Sequence, residues 1–354
     1  MPPVAGRDYP GSYAGLRAWF PDDEACLDYL DWLRWPDGWR CPACGCLRGW
    51  GLASGRRECA DCGRQTSATA GTIFHRTRTP LTVWFAAAWQ VTSQKHGVSA
   101  LGLQRVLGLG SYQTAWAMLH RYRTAMVRPG RDRLTGHVEV DETFVGGVKP
   151  GRRGRGAEGK VPVAVAVEQR LPRGYGRCRL QVIPNAQAPT LREFLLDHVE
   201  PRAVVVTDGL KSYPPAVGAD YTHEPFNVAG SGLPAHVPLP GVHRVASLLK
   251  RWLLGTHQGA VEGDHLQAYL DEFTFRFNRR GSRARGMLFY RLLEQAVTAD
   301  PVSYRELVVN PRPKRRRPAA PAGRRANPSS LALPPAGRPW REPGPPPQGA
   351  GPRT

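Results

Sequence analysis

The sequence predicts a mixed α/β protein in which the sheet-forming half follows a small cysteine-rich module and a run of helices. Three observations carry this expectation. Four cysteines form two Cys-x2-Cys pairs near the N-terminus, CPACG and CADCG. Residues 81–127 carry apolar groups at helical spacing. From residue 137 to 207, three strand-like runs, a helix and one fully apolar strand follow in order, which is the pattern of a mixed sheet with flanking helices.

The chain has 354 residues, enough for two or three domains with real cores, and a formal charge of +20. Such a balance points to a polyanion, most simply nucleic acid. The competing explanation is a basic tail on an unrelated enzyme. Residues 311–354 hold ten Lys/Arg against one Glu, so the rest of the chain is basic as well. No stretch of 18 apolar residues exists, and the N-terminus lacks the apolar core of a secretory signal. A protein of the cytoplasm, associated with the nucleoid and not with a membrane, is the expectation. Paired cysteines in such a chain read as metal ligands, not disulfides.

Taken in order, residues 1–37 form an N-terminal segment. Its DDEACLDYLDWLRW places Cys26, Leu27, Leu30 and Leu33 on one side of a short amphipathic helix. Residues 38–78 form a turn-rich module. Cys41, Cys44, Cys59 and Cys62 are two knuckles with 14 residues between them, and Gly45 and Gly63 follow the second Cys of each. A Cys-x2-Cys turn lets both thiolates face one ion, and glycine permits the bend behind it. Four thiolates close a tetrahedral Zn²⁺ site, so one structural zinc is expected. Cys46 lies close by at the wrong spacing, and Cys26 and Cys178 read as core residues.

Residues 80–130 read as three helices: Leu81–Lys95, Ser99–Leu107, and Gln113–Val127 after the break GLGS. A helix, a glycine turn and a further helix fit a helix-turn-helix DNA reader. Tyr112, Gln113 and Thr114 at the start of the last helix suit base edges, and Arg121 and Arg123 further on suit phosphates.

In residues 135–300, HVEVDETFVGG, VPVAVAVE and CRLQVIP read as strands, PTLREFLLDHV as a helix and AVVVTDG as a buried strand. Asp141 and Asp208 each end a strand-like run. Rigidly held carboxylates suit Mg²⁺ or Mn²⁺, and two such ions can activate a water on a phosphodiester. The stretch GVHRVASLLKRWLLGTH then reads as a helix. His243, Ser247 and Lys250 share one face, and Val245, Leu248, Leu249 and Trp252 share the other. Docked by its apolar side, the helix would turn His243 and Lys250 toward the acids. The last segment, residues 308–354, has 13 prolines from residue 311 onward and reads as a disordered basic tail.

These motifs together resemble insertion-sequence transposases of the DDE-type superfamily, in the group with an N-terminal zinc ribbon. The likeness runs from about residue 20 to 290 through CPACG, CADCGRQTSATAGTIFH, VEVDETFVGG, the basic loop ending in Lys160, VVVTDGLKSY and HRVASLLKRWLLGTH. The resemblance implies a ribonuclease H-like catalytic fold. It implies hydrolysis at transposon ends with two bound Mg²⁺ or Mn²⁺ ions, then attack of the freed 3′-hydroxyl on target DNA. Double-stranded DNA is the implied partner, bound as a homodimer or larger assembly. Asp141 and Asp208 match the first two acids of that group. Its third position is looser than Glu and is followed by Lys seven residues on, which His243 and Lys250 match. Histidine is a borderline ligand, better for Mn²⁺ than for Mg²⁺, so its role stays open between metal ligand, phosphate donor and proton shuttle. Glu224, Glu262 and Asp264 are the alternative acids. Lys250, Lys160, Arg244 and Arg251 are the expected phosphate contacts. The other reading is a non-catalytic zinc-ribbon regulator derived from such an element.

Overall fold

The computed structural model describes residues 3–146, 160–170, 172–226, 238–259, 261 and 263–309. Among these, the chain forms two compact units: Met1–Ala125 with Ser282–Leu307, and Met126–Gly281. The predicted tail and most of the basic loop 147–160 lie outside the described residues, as does Glu262.

The first unit begins with α1 (Tyr13–Trp19) and α2 (Asp23–Arg34). Asp22 caps α2 by accepting from the Ala25 amide at 2.9 Å, and Asp23 and Glu24 complement the helix dipole in the first turn. A three-stranded antiparallel sheet follows, β1 (Gly49–Gly51), β2 (Arg57–Cys59) and β3 (Gln65–Thr66). It is fastened to α2 by the two-pronged pair of Arg57 with Asp31, at 2.9 and 2.7 Å. The three expected helices are α3 (Leu81–Ser93), α4 (Ala100–Leu107) and α5 (Tyr112–Ala125). Apolar groups all round α3 make it the central helix of the unit. Helix α4 starts on a Ser99 cap and stops at Gly108, whose φ of 62° is the left-handed cap that glycine takes without strain.

The second unit is a five-stranded sheet between two helical layers. Its elements are β4 (His137–Val145), β5 (Val161–Gln169), β6 (Tyr175–Val182), α6 (Ala188–His198), β7 (Val204–Thr207), α7 (Tyr213–Val217), β8 (Thr222–Pro225), α8 (Pro240–His257) and α9 (Leu266–Asn278). The strand order is β6-β5-β4-β7-β8. The first three strands run antiparallel, while β4, β7 and β8 run parallel. Alternation along β5 divides the core. Val163, Val165 and Val167 face α8 and α9, and Ala164 and Ala166 face α6 and α7. The outer edge of β6 is covered by side chains from α9. Asn278 and Gln267 accept from the amides of Cys178 and Val182 at 2.7 and 2.9 Å. Strand β8 escapes sequence reading because THEP is short, polar and exposed.

The chain then returns to the first unit with α10 (Arg285–Ala296) and α11 (Tyr304–Val309). This moves the C-terminal limit of the sheet domain back from the expected residue 300. The cause is the apolar face of α10. Phe289 packs on Phe85, Trp89 and Phe20 at ring distances of 5.8, 5.8 and 6.2 Å.

Candidate functional site

In the cysteine module, the Sγ atoms of Cys41, Cys44, Cys59 and Cys62 all lie within 4.8 Å of one another. Gly45 and Gly63 take φ of 77° and 65°, and their amides donate to the carbonyls of Cys41 and Cys59. These are the tight turns the spacing predicted. The Cys59 thiol is pulled down to about 6, first by the backbone N–H of Cys62; Cys41 is lowered as well, first by the backbone N–H of Cys44. Cys62 moves up even though the Arg64 backbone N–H opposes it, because the thiols of Cys59 and Cys41 crowd it. Four sulfurs gathered this closely suit one tetrahedral zinc ion. Cys46 stands aside, its Sγ accepting from the Arg48 amide at 3.2 Å.

In the sheet, the first acid is not at a strand end. Asp141 lies in the middle of β4, because β5 continues to pair as far as Val145–Val161. The neighbour on the other side is what stops: β7 pairs with β4 only through His137–Val204, Val138–Val205 and Glu139–Val206. Pairing with β7 therefore stops two residues short of Asp141. Asp208 is the first residue beyond β7. Its Oδ1 accepts from Leu210 N at 3.0 Å as the chain turns at Gly209, φ 77°. Tyr213 marks the meeting point. Its hydroxyl donates to Glu142 Oε1 at 2.8 Å, and its pKa is raised first by burial, then by the charges of Glu142 and Asp141, and further by Asp208.

Helix α8 docks as its pattern required, burying Val242, Val245, Leu249, Trp252 and Leu253. His243 Nε2 then lies 3.9 Å from Asp141 Oδ2, too far for a hydrogen bond and close enough for both to face one cation. A cavity of about 190 Å³ opens here between β4 and α8, lined by Asp141, Glu142, His243, Ser247 and Lys250 among others. Asp208 is not among its lining residues. The Lys250 pKa is lowered, first by partial burial and then by the nearby Lys160, while Asp141 opposes the shift. An ammonium group lining an acid-bearing cavity, with a second lysine near enough to feel its charge, can hold an anion that the acids alone would repel. Among the described residues, the cysteine quartet is the group of three or more His, Cys, Asp or Glu side chains whose ligand atoms lie close enough to hold one ion; at this cavity Asp141 and His243 face each other as a pair.

Sequence reading missed Glu139. It is fully buried on β4, on the same face as Asp141. Its Oε2 accepts from the Val242 amide at 2.9 Å, and its Oε1 accepts from Gln169 Nε2 at 2.8 Å. This carboxylate fixes the first turn of α8 one residue before His243. Gly241 permits the approach, since a Cβ there would stand 2.8 Å from Glu139 Oε2. The available signal was an acid inside an apolar run, two residues before the aspartate.

The expected phosphate contacts divide. Tyr112 and Gln113 are exposed and Thr114 half-buried on the first turn of α5. Arg121 is half-buried, with Nε donating to the Val302 carbonyl at 2.9 Å. Arg123 is a correction: it is 2% exposed on the inner side of α5, so a phosphate cannot reach it there. Arg244 and Arg251 are exposed on α8, outside the acid cavity; Arg244 lies near Tyr175 and Arg280. Glu224 sits on β8 opposite Val206, and Asp264 is exposed in a short 3₁₀ turn.

The geometry defines a zinc-ribbon protein with a mixed-sheet domain bearing paired acids, and comparison with known proteins makes the class specific. Residues 21–65 match the transposase zinc-ribbon domain, and residues 133–278 match the ISXO2-like transposase domain. These matches, in this order, place the chain among the insertion-sequence transposases with an N-terminal zinc ribbon. A similar curated protein is the uncharacterized protein in transposable element ISH50 of Halobacterium salinarum. It is 29% identical over 289 residues, covering 75% of this chain and 95% of that relative. No solved structure matches the chain. Among the described residues, no helix is long and apolar enough to cross a membrane.

Proposed function

We propose that the chain is an active transposase of a bacterial-type insertion sequence, which binds the terminal inverted repeats and cuts and joins DNA at Asp141, Asp208, His243 and Lys250. The observation that carries this is the approach of His243 Nε2 to within 3.9 Å of Asp141 Oδ2 at a cavity that Lys250 also lines; Asp208, just past the end of the neighbouring strand β7, is the second acid of this reading. The sheet order, antiparallel on one side and parallel on the other with helices on both faces, supports a ribonuclease H-like fold.

Divalent ions held by Asp141, Asp208 and His243 would lower the pKa of an attacking water and offset charge on the leaving 3′-oxygen. The protein groups do the positioning. Lys250 and Lys160 hold the scissile phosphate against the acids as compact charges. Glu139 locks the start of α8 and so sets the place of His243. In the first step water attacks phosphorus and the 3′-oxygen leaves with a proton. In the second, that 3′-hydroxyl attacks a target phosphodiester. Helices α4 and α5 act as a helix-turn-helix-like reader, with Tyr112, Gln113 and Thr114 toward the bases. Pairing of two transposon ends calls for a homodimer or larger assembly on DNA.

The test is cleavage of a labelled duplex carrying the element's own terminal repeat, in Mn²⁺ or Mg²⁺. Asp141→Asn and Asp208→Asn should each lower cleavage at least about a hundredfold while leaving duplex binding intact. Cutting at the wild-type rate by either variant rules the site out. A His243→Ala chain that keeps its full rate in Mn²⁺ removes His243 from the ligand set. Wild-type chain that binds with strong salt dependence but never cuts would support the regulator instead.

A further inference from the structure

The first unit contains a second cavity, of about 390 Å³, which no step of the proposed reaction uses. It lies between α5 and the segment 73–79 that follows the ribbon, with Tyr304 of α11 at its side. Its cationic lining is His75, Arg76, Arg78 and Arg121, and no carboxylate is among the described residues lining it. Its apolar wall includes Ile73, Trp84 and Met118. A cavity with an apolar wall, neutral hydroxyl and amide groups, and charged groups of one sign matches a ligand that is flat and apolar at one end and anionic at the other.

The segment that carries these cations is pinned. Trp84 Nε1 donates to Thr77 Oγ1 at 2.9 Å, and the Thr79 amide donates to the same oxygen at 3.1 Å. His75 Nδ1 accepts from Gly71 N at 3.2 Å, so its Nε2 is the protonated nitrogen in the neutral ring and is a donor. Arg76 has φ of 53°, a left-handed conformation that costs an arginine energy and a glycine none. Arg202 and Gln258 share this conformation, at 69° and 51°, but neither lines this cavity, whereas Arg76 does. Tyr304 is 46% exposed and is held edge-on to Trp116 at 6.3 Å, so a ring face is available to a planar group.

A duplex is far too wide for this volume, whereas small-molecule pockets of a few hundred Å³ enclose ligands the size of one nucleotide. We propose that this cavity receives a single unpaired nucleotide from the DNA to which the chain binds. His75, Arg76, Arg78 and Arg121 hold its phosphates, Tyr304 stacks on its base, and Gln113 and Thr114 of α5 border it. The proposal deepens the transposase reading and rests on it. It moves part of DNA recognition from the outer face of α5 to the segment between the ribbon and α3.

The test uses the full chain and duplexes carrying the terminal repeat, with 2-aminopurine placed in turn at each position. Wild-type chain should unstack one position and change its fluorescence, and Tyr304→Ala should abolish that change. The double variant Arg76→Gly, Arg78→Ala should bind the terminal-repeat duplex at least about tenfold more weakly. The slope of log affinity against log salt should fall by about 1 to 2. Because glycine relieves the φ strain at position 76, the single Arg76→Gly chain should keep or raise its melting temperature while binding falls, which separates lost charge from lost fold. Unchanged affinity and salt slope in the double variant, or no responsive 2-aminopurine position, overturns the proposal alone. Wild-type chain that fails to bind the terminal repeat overturns both this proposal and the transposase reading.

Discussion

The zinc ribbon and the acid cavity are built by opposite means. The ribbon gathers four ligands from 22 consecutive residues, Cys41 to Cys62, through two turns that glycines close. The acid cavity gathers its groups from β4, β5 and α8, across about a hundred residues, and no turn fixes their spacing. One site is dictated by local geometry, the other by sheet register and helix docking. The ribbon's four thiols meet one another and nearby backbone amides, an arrangement that a bound zinc ion would hold together. The acids of the sheet are held by protein donors and should be in place whether or not an ion is bound.

The largest expected effect lies on the ribbon side. Structural zinc contributes on the order of 10 kcal/mol to the folding of such modules. Cys59→Ser with Cys62→Ser should reduce zinc content from one per chain to none, read by metal analysis. Adding a strong chelator to the wild type should expose the four ribbon thiols to a thiol reagent, while buried Cys26 and Cys178 stay unreactive. Backbone amides of β4 and β5 should stay protected from hydrogen exchange throughout. If those strands open on chelation, the two regions are not held together by independent means.

The same contrast explains what could be read from the sequence. Knuckle spacing, strand alternation from residue 137 and the two-faced helix at 243 are local patterns, and the structure contains each of them. Three things were out of reach. Asp141 sits mid-strand because β5 goes on pairing past it as far as Val145–Val161, which is a property of the partner strand and not of the run VEVD itself. Arg123 turns inward because α5 buries more than half its circumference, and a mixed composition hides that. The C-terminal helix α10 carries an apolar face that fits either unit by pattern, and only the aromatic contacts of Phe289 show which one it joins.

A middle-sized effect tests whether the acid cavity is preassembled. Glu139→Ala removes the acceptor of a buried amide at the start of α8, at a cost of roughly 1–3 kcal/mol. Cleavage should fall with duplex binding unchanged, because His243 loses its anchor. Glu139→Gln should recover much of the rate, since its carbonyl can still accept from Val242 N while Gln169 turns its own amide. Gly241→Ala should mimic the loss from the other side, because the added Cβ would press on Glu139 Oε2 and on Tyr175 Cε1, at 2.8 and 2.9 Å. Wild-type cleavage by the Glu139→Ala chain would mean that docking of the apolar face alone places His243.

The smallest effect concerns how the sheet keeps a carboxylate ionised without any metal. Glu168 on β5 is 9% exposed. Burial pushes its pKa up, but the Arg177 guanidinium, the Arg177 amide and the Thr135 amide together pull it below the usual value. Its Oε1 meets Arg177 Nη2 at 2.6 Å and Thr135 N at 3.1 Å, and Oε2 meets Arg177 N at 2.8 Å. A carboxylate whose folded pKa is depressed adds stability above its unfolded value, about 4.3. That stability is lost as pH falls through the folded value. Glu168→Gln should therefore cost roughly 1–2 kcal/mol near pH 7. The gap from wild type should shrink steadily as pH drops below about 4, measured by denaturant unfolding of the sheet. The ribbon should show the steeper acid response, because protonating its thiolates releases the ion that organises it. A gap at Glu168 that stays constant from pH 7 to pH 3 would mean that shape, not charge, is what β5 and β6 require at that position.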